Sequence, residues 1–147
     1  TSGTTFNTLA VNLEENSSRQ PVNYIMPPGV ERVQLLSNNG VNLQQNEQAM
    51  SLQVRNLVTG DARAVFKTLN LDIRQYGNLS MYLHAESVPG QRPLQDDELY
   101  AVVRIGQDFL NNYYEIKVPL KVTAHGNYPR GQEERVCTRE EYIIHSY

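Results

Sequence analysis

The sequence predicts an all-β, mainly antiparallel protein, because three features of the chain agree. Apolar and polar residues alternate with a period of two in several short stretches between residues 48 and 120, as expected for strands with two different faces. Turn residues such as Asn, Gly and Pro separate these stretches. Tyr (9) outnumbers Phe (3), and uncharged polar residues are abundant, which is more typical of half-exposed sheets than of helical bundles.

The first third of the chain carries weaker signals. Residues 1–20 are rich in Thr, Asn and Ser, and their only alternation is the apolar set Leu9, Val11 and Leu13. Residues 21–30 contain several prolines and are expected to run extended. The sequence Ser-Asn-Asn-Gly at residues 37–40 predicts a turn, because Asn and Gly tolerate positive φ.

The strand pattern becomes clear from residue 48 onward. Met50, Leu52 and Val54 alternate with polar residues and should share one face of a strand. Apolar residues at positions 49, 50, 54 and 57 also allow a helix over residues 46–57. We favour the strand, because Val54 and the Thr-Gly-Asp turn at residues 59–61 suit it better.

The remaining alternations predict strands at residues 62–66, 69–73, 79–85, 99–105 and 114–120. Pro119 cannot donate a hydrogen bond to a neighbouring strand, which favours an edge or a bulge at that position. Short strands separated by turns are typical of an antiparallel sandwich rather than of alternating strands and helices.

Composition excludes several classes of function. The net charge of −3 and the pI of about 5.6 argue against nucleic-acid binding, which depends on Lys and Arg. Apolar runs are too short for a membrane-spanning helix, and Cys137 has no cysteine partner for a disulfide. The chain begins on Thr and its first residues lack a signal-peptide pattern, so we expect a fragment of a longer protein.

No motif predicts catalysis, and we expect neither enzymatic activity nor a cofactor. The histidines His84, His125 and His145 show no metal-binding spacing, and His84 is expected to be exposed or hydrogen-bonded. Adjacent acidic residues are more often solvated charges than catalytic pairs. Asp96 and Asp97 could bind Ca²⁺ together with loop carbonyls, although no EF-hand spacing supports this.

One aromatic group has binding potential. Tyr113 and Tyr114 lie beside Asn111 and Asn112, and Arg104 is near in sequence. Aromatic rings with nearby polar groups can bind a sugar by stacking and hydrogen bonds, so these five residues are candidates for a glycan or partner contact. Tyr76, Tyr82 and Tyr100 extend the group. The simpler alternative, which we favour, is ordinary cross-strand packing of aromatic side chains.

Several ordered segments resemble the SprA/Sov family. They are NYIMPPGVER at 23–32, NEQAMSL at 46–52, GDARAVFK at 60–67, LDIRQY at 71–76, MYLHAE at 81–86, RIGQD at 104–108 and NNYYE at 111–115. The resemblance covers about residues 21–123. It is specific because the segments occur in the order of the family.

The resemblance implies a role. Members of this family are outer-membrane translocons of type IX secretion and gliding motility, and they are not enzymes. The fragment is too polar and turn-rich for direct membrane insertion, so the resemblance implies a non-catalytic structural or interaction domain in the cell envelope, on the periplasmic or extracellular side. Its partners would be other parts of the parent outer-membrane barrel, secretion-system proteins or cargo. A carbohydrate-binding module on the cell surface is the alternative.

These observations together predict a jelly-roll-like β-sandwich, similar to galactose-binding domains. We expect a flexible or weakly ordered segment over residues 1–20, the sandwich domain over 21–123 and a polar C-terminal extension over 124–147. In a sandwich, alternate residues of both sheets fill the core. The expected core residues are Met50, Leu52, Val54, Leu71, Ile73, Leu79, Met81, Leu83, Leu99, Ala101, Val103, Ile105, Ile116 and Val118.

Overall fold

The regular elements are almost all strands. The computed structural model describes residues 3–36 and 42–143. In chain order its elements are β1 (Thr5–Asn12), the one-turn helix α1 (Leu13–Asn16), β2 (Gln34–Leu36), β3 (Asn42–Gln44), β4 (Gln48–Arg55), β5 (Asn78–Leu83), β6 (Tyr100–Gly106), β7 (Tyr113–Pro119) and β8 (Thr138–Ile143), with 3₁₀ turns at Ile73–Gln75 and Glu133–Arg135. The all-β prediction is confirmed. Among the described residues, no helix is long and apolar enough to cross a bilayer.

The described strands pair two by two into antiparallel ribbons. These are β1–β4, β2–β3, β5–β8 and β6–β7. The strands predicted from alternation at 79–85, 99–105 and 114–120 are present within about two residues, and β4 confirms the strand rather than the helix at residues 46–57. A jelly roll would place four strands in each of two sheets, so that finer arrangement stays a prediction.

The first and last described strands, β1 and β8, take part in these ribbons. β1 pairs with β4 from Thr5 opposite Arg55 to Asn12 opposite Gln48, and β8 pairs with β5 along its whole length. The Asn12 side chain also caps α1 by accepting a hydrogen bond from the Glu15 amide at 2.8 Å. The domain boundaries at 20/21 and 123/124 stay a prediction, although strands pair across both.

Two predicted strands do not form. Residues 62–66 and 69–73 lie in an exposed stretch without strand structure, which ends in the 3₁₀ turn at Ile73–Gln75. A strand needs a neighbour to satisfy its backbone groups, and no described strand lies beside this stretch. Phe66 in this stretch packs against Phe109, with ring centroids 5.4 Å apart. The turn predicted at residues 37–40 lies outside the described residues.

The buried core is small and lies where the sequence did not predict it. Val22, Tyr128 and Val136 form one buried cluster, with Ile25 packed against it. This cluster joins the proline-containing segment after α1 to the chain segment before β8. An isolated parallel bridge between Val22 and Gly126 joins the same two regions, and a second bridge pairs Ala85, after β5, with Val122.

The expected core is wrong at three positions. Met50, Leu52 and Leu71 are 64%, 45% and 49% exposed, because alternation identifies residues that share a face but not whether anything covers that face. Val118 is buried, as predicted. The other expected core residues are partly buried: Val54, Ile73, Leu79, Met81, Leu83, Leu99, Ala101, Val103, Ile105 and Ile116.

Candidate functional site

The predicted aromatic site lies on the β6–β7 hairpin. In this ribbon Arg104 is opposite Glu115, and Gly106 is opposite Tyr113. The connecting loop is held by the Asp108 carboxylate, which accepts hydrogen bonds from the amides of Leu110 at 2.8 Å and Asn111 at 2.6 Å. These bonds, with others from Asn112, hold the pKa of Asp108 well below its usual range. The loop is therefore ordered by its own carboxylate.

The two adjacent tyrosines of the predicted site point to opposite faces of the ribbon. Tyr113 lies on the same face of the ribbon as Arg104, and the guanidinium carbon of Arg104 is 4.3 Å from the centroid of the Tyr113 ring. Successive residues of a strand alternate, so Tyr114 lies on the other face, where it is 79% exposed. The hairpin therefore does not bring the two rings together on one surface.

The polar members of the predicted site are engaged within the hairpin. Arg104 donates to the Glu115 carboxylate at 2.7 Å and to the Phe109 carbonyl at 2.8 Å. The Asn112 side-chain amide donates to Asp108 at 2.7 Å, and Asn111 contributes its backbone amide to the same carboxylate. The Arg104 guanidinium covers one face of the Tyr113 ring.

The other tyrosines of the predicted group are also dispersed. The Lys117 ammonium lies 4.2 Å from the centroid of Tyr100, on the same face as Arg104 and Tyr113. Tyr82 donates its hydroxyl hydrogen bond to the Pro28 carbonyl, and Tyr76 is exposed in the loop before β5. Cross-strand cation–π and packing contacts account for Tyr100 and Tyr113 without a ligand.

The candidate calcium ligands contact a lysine. The Lys121 ammonium is 2.8 Å from the Asp97 carboxylate and 3.8 Å from that of Asp96. Asp96 also accepts a hydrogen bond from the Val122 amide at 2.9 Å. The two carboxylates raise the pKa of Lys121, so a protonated amine takes the place beside them that a cation would need. No group of three possible metal ligands occurs in residues 3–36 and 42–143.

The β1–β4 ribbon carries an apolar face that lies partly open to solvent. The register places Phe6, Thr8 and Ala10 of β1 on one face with Met50, Leu52 and Val54 of β4. We call these six residues the ribbon face. Met50 and Leu52 are among its exposed members. The opposite face is more polar, and Leu9 is its exposed apolar residue.

A polar cluster that the sequence did not predict lies next to the buried core. Arg19 donates to the Val22 carbonyl at 2.7 Å and forms an ion pair with Glu86. Glu86 also accepts from His84 Nε2 at 3.0 Å, and Thr123 lies 3.2 Å from the other ring nitrogen of His84. We call Arg19, His84, Glu86 and Thr123 the polar cluster. Arg19 is 67 residues from Glu86, so no local motif could have predicted their contact.

The charge of Glu86 is maintained by this cluster. Burial raises the pKa of Glu86, but hydrogen bonds from His84 and Arg19, together with the Arg19 charge, outweigh burial and lower it. Only 14% of the Glu86 side chain is exposed. The prediction that His84 is exposed or hydrogen-bonded is confirmed, since both of its ring nitrogens have polar partners.

Comparison with known proteins identifies a family. The family model SprA_N, described as "Motility related/secretion protein", matches residues 1–141. The match therefore includes the segments before residue 21 and after residue 123, where the sequence resemblance was not expected. A search of curated proteins finds no significant match.

Proposed function

Because the chain belongs to the SprA_N family of motility related/secretion proteins, we propose that it is a non-catalytic structural and interaction domain of an outer-membrane translocon. This translocon would serve type IX secretion and gliding motility. The domain would lie in the cell envelope, associated with the outer membrane as part of a larger protein. Its partners would be other parts of that protein, secretion-system proteins or cargo.

The observation that carries the proposal is the ribbon face. Met50 and Leu52 alternate with polar residues on β4 and are 64% and 45% exposed. A row of apolar side chains on one side of a strand is typical of a strand face that packs against another surface. Contiguous exposed apolar patches are typical of interaction sites. The ribbon face is therefore suited to contact another part of the translocon.

The exposed stretch after β4 supports the same role. Phe66 and Leu69 are 74% and 61% exposed, and residues 62–71 form no strand. Each described ribbon also has two outer edges, at which a further strand can pair. We propose that additional strands complete the jelly-roll-like sandwich, similar to galactose-binding domains, when the domain is in its parent protein.

A non-catalytic role is supported by two carboxylates that are engaged with neighbouring side chains, Glu86 next to the core and Asp97 on the surface. Glu86 is bound by Arg19 and His84, and Asp97 is bound by Lys121. A general acid or base has to reach a substrate as well as its own partners. These carboxylates contribute to the structure through their ion pairs.

The proposal is tested by placing a charge on the ribbon face of the full-length parent protein. Leu52→Glu, introduced into the chromosomal gene, should reduce secretion of a tagged cargo and spreading of colonies, because a carboxylate cannot be buried in an apolar contact without a large cost. Leu9→Glu is the matched control, since Leu9 has similar exposure, 51%, and lies on the opposite face.

Immunoblots would show whether both variants accumulate at the wild-type level. Normal secretion by Leu52→Glu cells would contradict the proposal. Equal loss of secretion in both variants would also contradict it, because the effect would not depend on the ribbon face.

The alternative, a carbohydrate-binding module on the cell surface, is supported by the exposed ring of Tyr114. Tyr114 is 79% exposed and could stack on a sugar. The test is a glycan array probed with the wild-type chain and with Tyr114→Ala. Binding that is lost in Tyr114→Ala and retained in Tyr76→Ala, which removes another exposed tyrosine, would favour this alternative.

A further inference from the structure

His84 has a hydrogen-bond acceptor at each ring nitrogen. Nε2 lies 3.0 Å from the Glu86 carboxylate, and Nδ1 lies 2.7 Å from the backbone carbonyl oxygen of Val136. Neither oxygen can donate a proton to the ring. Neutral imidazole carries one N–H, whereas the imidazolium form carries two, so both contacts are hydrogen bonds only when His84 is protonated.

We infer that His84 is a pH-dependent switch that connects the end of β5 to the chain segment before β8. In the protonated state one ring bridges Glu86 and Val136, which lie in segments far apart in sequence. After the ring loses one proton, only one of its two nitrogens carries a hydrogen. The contact at the other nitrogen is then no longer a hydrogen bond. The charge on Glu86 favours retention of the Nε2–H, so the contact with the Val136 carbonyl is the one that is lost.

Thr123 couples the protonation of His84 to the hydrogen bonding of the Val136 carbonyl. Its hydroxyl oxygen lies 3.1 Å from that carbonyl oxygen and 3.2 Å from His84 Nδ1. With His84 protonated, the hydroxyl donates to Val136. With His84 neutral, Nδ1 becomes an acceptor and competes for the same hydroxyl hydrogen. The hydrogen bond between Thr123 and the Val136 carbonyl is buried, and removing a donor from a buried carbonyl is costly, so deprotonation weakens the packing of Val136.

The charged and titratable groups around the ring come from three segments. Glu86 follows β5 together with His84, and Arg19 reaches Glu86 from the segment after α1. The segment before β8 contributes Thr123 and the Val136 carbonyl. Cys137 follows Val136 and contacts the Glu133 carbonyl through its sulfur at 3.4 Å. The pKa of Glu86 is lowered, so its carboxylate stays charged at neutral pH and remains an acceptor beside Nε2.

The switch is tested by hydrogen exchange on the whole chain at about pH 6 and about pH 8.5, on either side of the ordinary imidazole range. After correction for the intrinsic effect of pH, amides of residues 134–138 should exchange several-fold faster at the higher pH in wild type. His84→Gln should lose this pH dependence. His125→Gln should retain it, because His125 has a single described hydrogen bond, 3.1 Å from Nε2 to the Ser87 carbonyl.

A measurement on the wild-type protein keeps the inference falsifiable if His84→Gln does not fold. Nitrogen-15 NMR of the histidine rings distinguishes imidazolium from the two neutral tautomers. At the acidic end of the titration both ring nitrogens of His84 should carry a proton, and at the basic end the remaining proton should lie on Nε2. A proton retained on Nδ1 in the neutral ring, or unchanged exchange at residues 134–138 across the pH range, would each overturn the switch.

Discussion

Asn23 and Tyr128, 105 residues apart, are joined by a pair of reciprocal hydrogen bonds. The Asn23 side-chain amide donates to the Tyr128 carbonyl at 2.9 Å, and its oxygen accepts from the Tyr128 amide at 2.7 Å. Both residues are buried. A single asparagine therefore satisfies both backbone groups of Tyr128 in the place of a strand partner, directly beside the core residue Val22.

Replacing this asparagine should destabilise the protein. In Asn23→Ala, the amide and carbonyl of Tyr128 lose their partners, and each buried polar group left unpaired costs about 1–3 kcal/mol. The free energy of unfolding, measured by urea denaturation, should fall by about 2–5 kcal/mol. The exposed Asn127 provides the control, and Asn127→Ala should unfold at the wild-type urea concentration. Equal midpoints for the two variants would show that the paired bonds do not stabilise the fold.

The β6–β7 hairpin should depend on glycine at position 106. A Cβ there would overlap the Asn112 carbonyl oxygen and lie 2.5 Å from the Tyr113 Cα, both backbone atoms. The loop held by Asp108 cannot move away without losing its hydrogen bonds. Gly106→Ala should therefore lower the melting temperature, with a cost of about 1–3 kcal/mol.

Gly77 is the matched control for that substitution. A Cβ at Gly77 would meet no atom within 4 Å, so Gly77→Ala should be neutral or slightly stabilising, because alanine restricts the unfolded chain. A Gly106→Ala protein that melts with or above the Gly77→Ala protein would contradict the steric argument.

Local features of the fold could be predicted from the sequence, but its core could not. Alternation correctly placed Met50 and Leu52 on one face of a strand, because side-chain direction depends only on the backbone of that strand. Whether a face is covered depends on distant segments. Val22 and Tyr128 belong to stretches without periodicity, so nothing in their surroundings marks them as buried partners.

The candidate aromatic site also combines features that the sequence predicts with features that depend on distant segments. Tyr113 and Tyr114 are neighbours in a strand, and the period of two predicts that they point to opposite faces, which is incompatible with one shared surface. The contact of Arg104 with Tyr113 depends on the register of β6 and β7, which alternation does not fix. The Arg19–Glu86 pair depends on tertiary packing alone.

Glu86 should make the protein sensitive to acid. Because its pKa in the folded protein is lowered by His84 and Arg19 despite burial, its contribution to stability is present above the ordinary carboxyl pKa and is lost as the pH falls through the lowered value. Between about pH 5 and about pH 3, wild type should lose more stability than Glu86→Gln. Glu134→Gln, which removes an exposed carboxylate, should follow wild type. Parallel pH profiles for wild type and Glu86→Gln would exclude this role.

Cys137 should react slowly in the folded state. Burial raises the pKa of its thiol, and the nearby Glu133 charge raises it further, so less of the nucleophilic thiolate is present. Alkylation by iodoacetamide, followed by mass spectrometry, should be several-fold slower in native buffer than in urea at the same pH. The chain has one cysteine, so every adduct reports on this site. Equal rates in the two solvents would mean that the thiol is as available as in an unfolded chain.

The position of the core can be tested with a substitution that conserves shape. Val22 is 1% exposed, so Val22→Thr places a hydroxyl where water cannot reach it, at a cost of about 1–3 kcal/mol unless it finds a partner. The melting temperature should fall by several degrees. Val102 on β6 is 48% exposed, and Val102→Thr makes the same change on a surface where threonine is a good strand residue, so it should melt like wild type. If Val102→Thr were the more damaging change, the stability of the protein would reside in its ribbons and not in the contact of Val22 with Tyr128 and Val136.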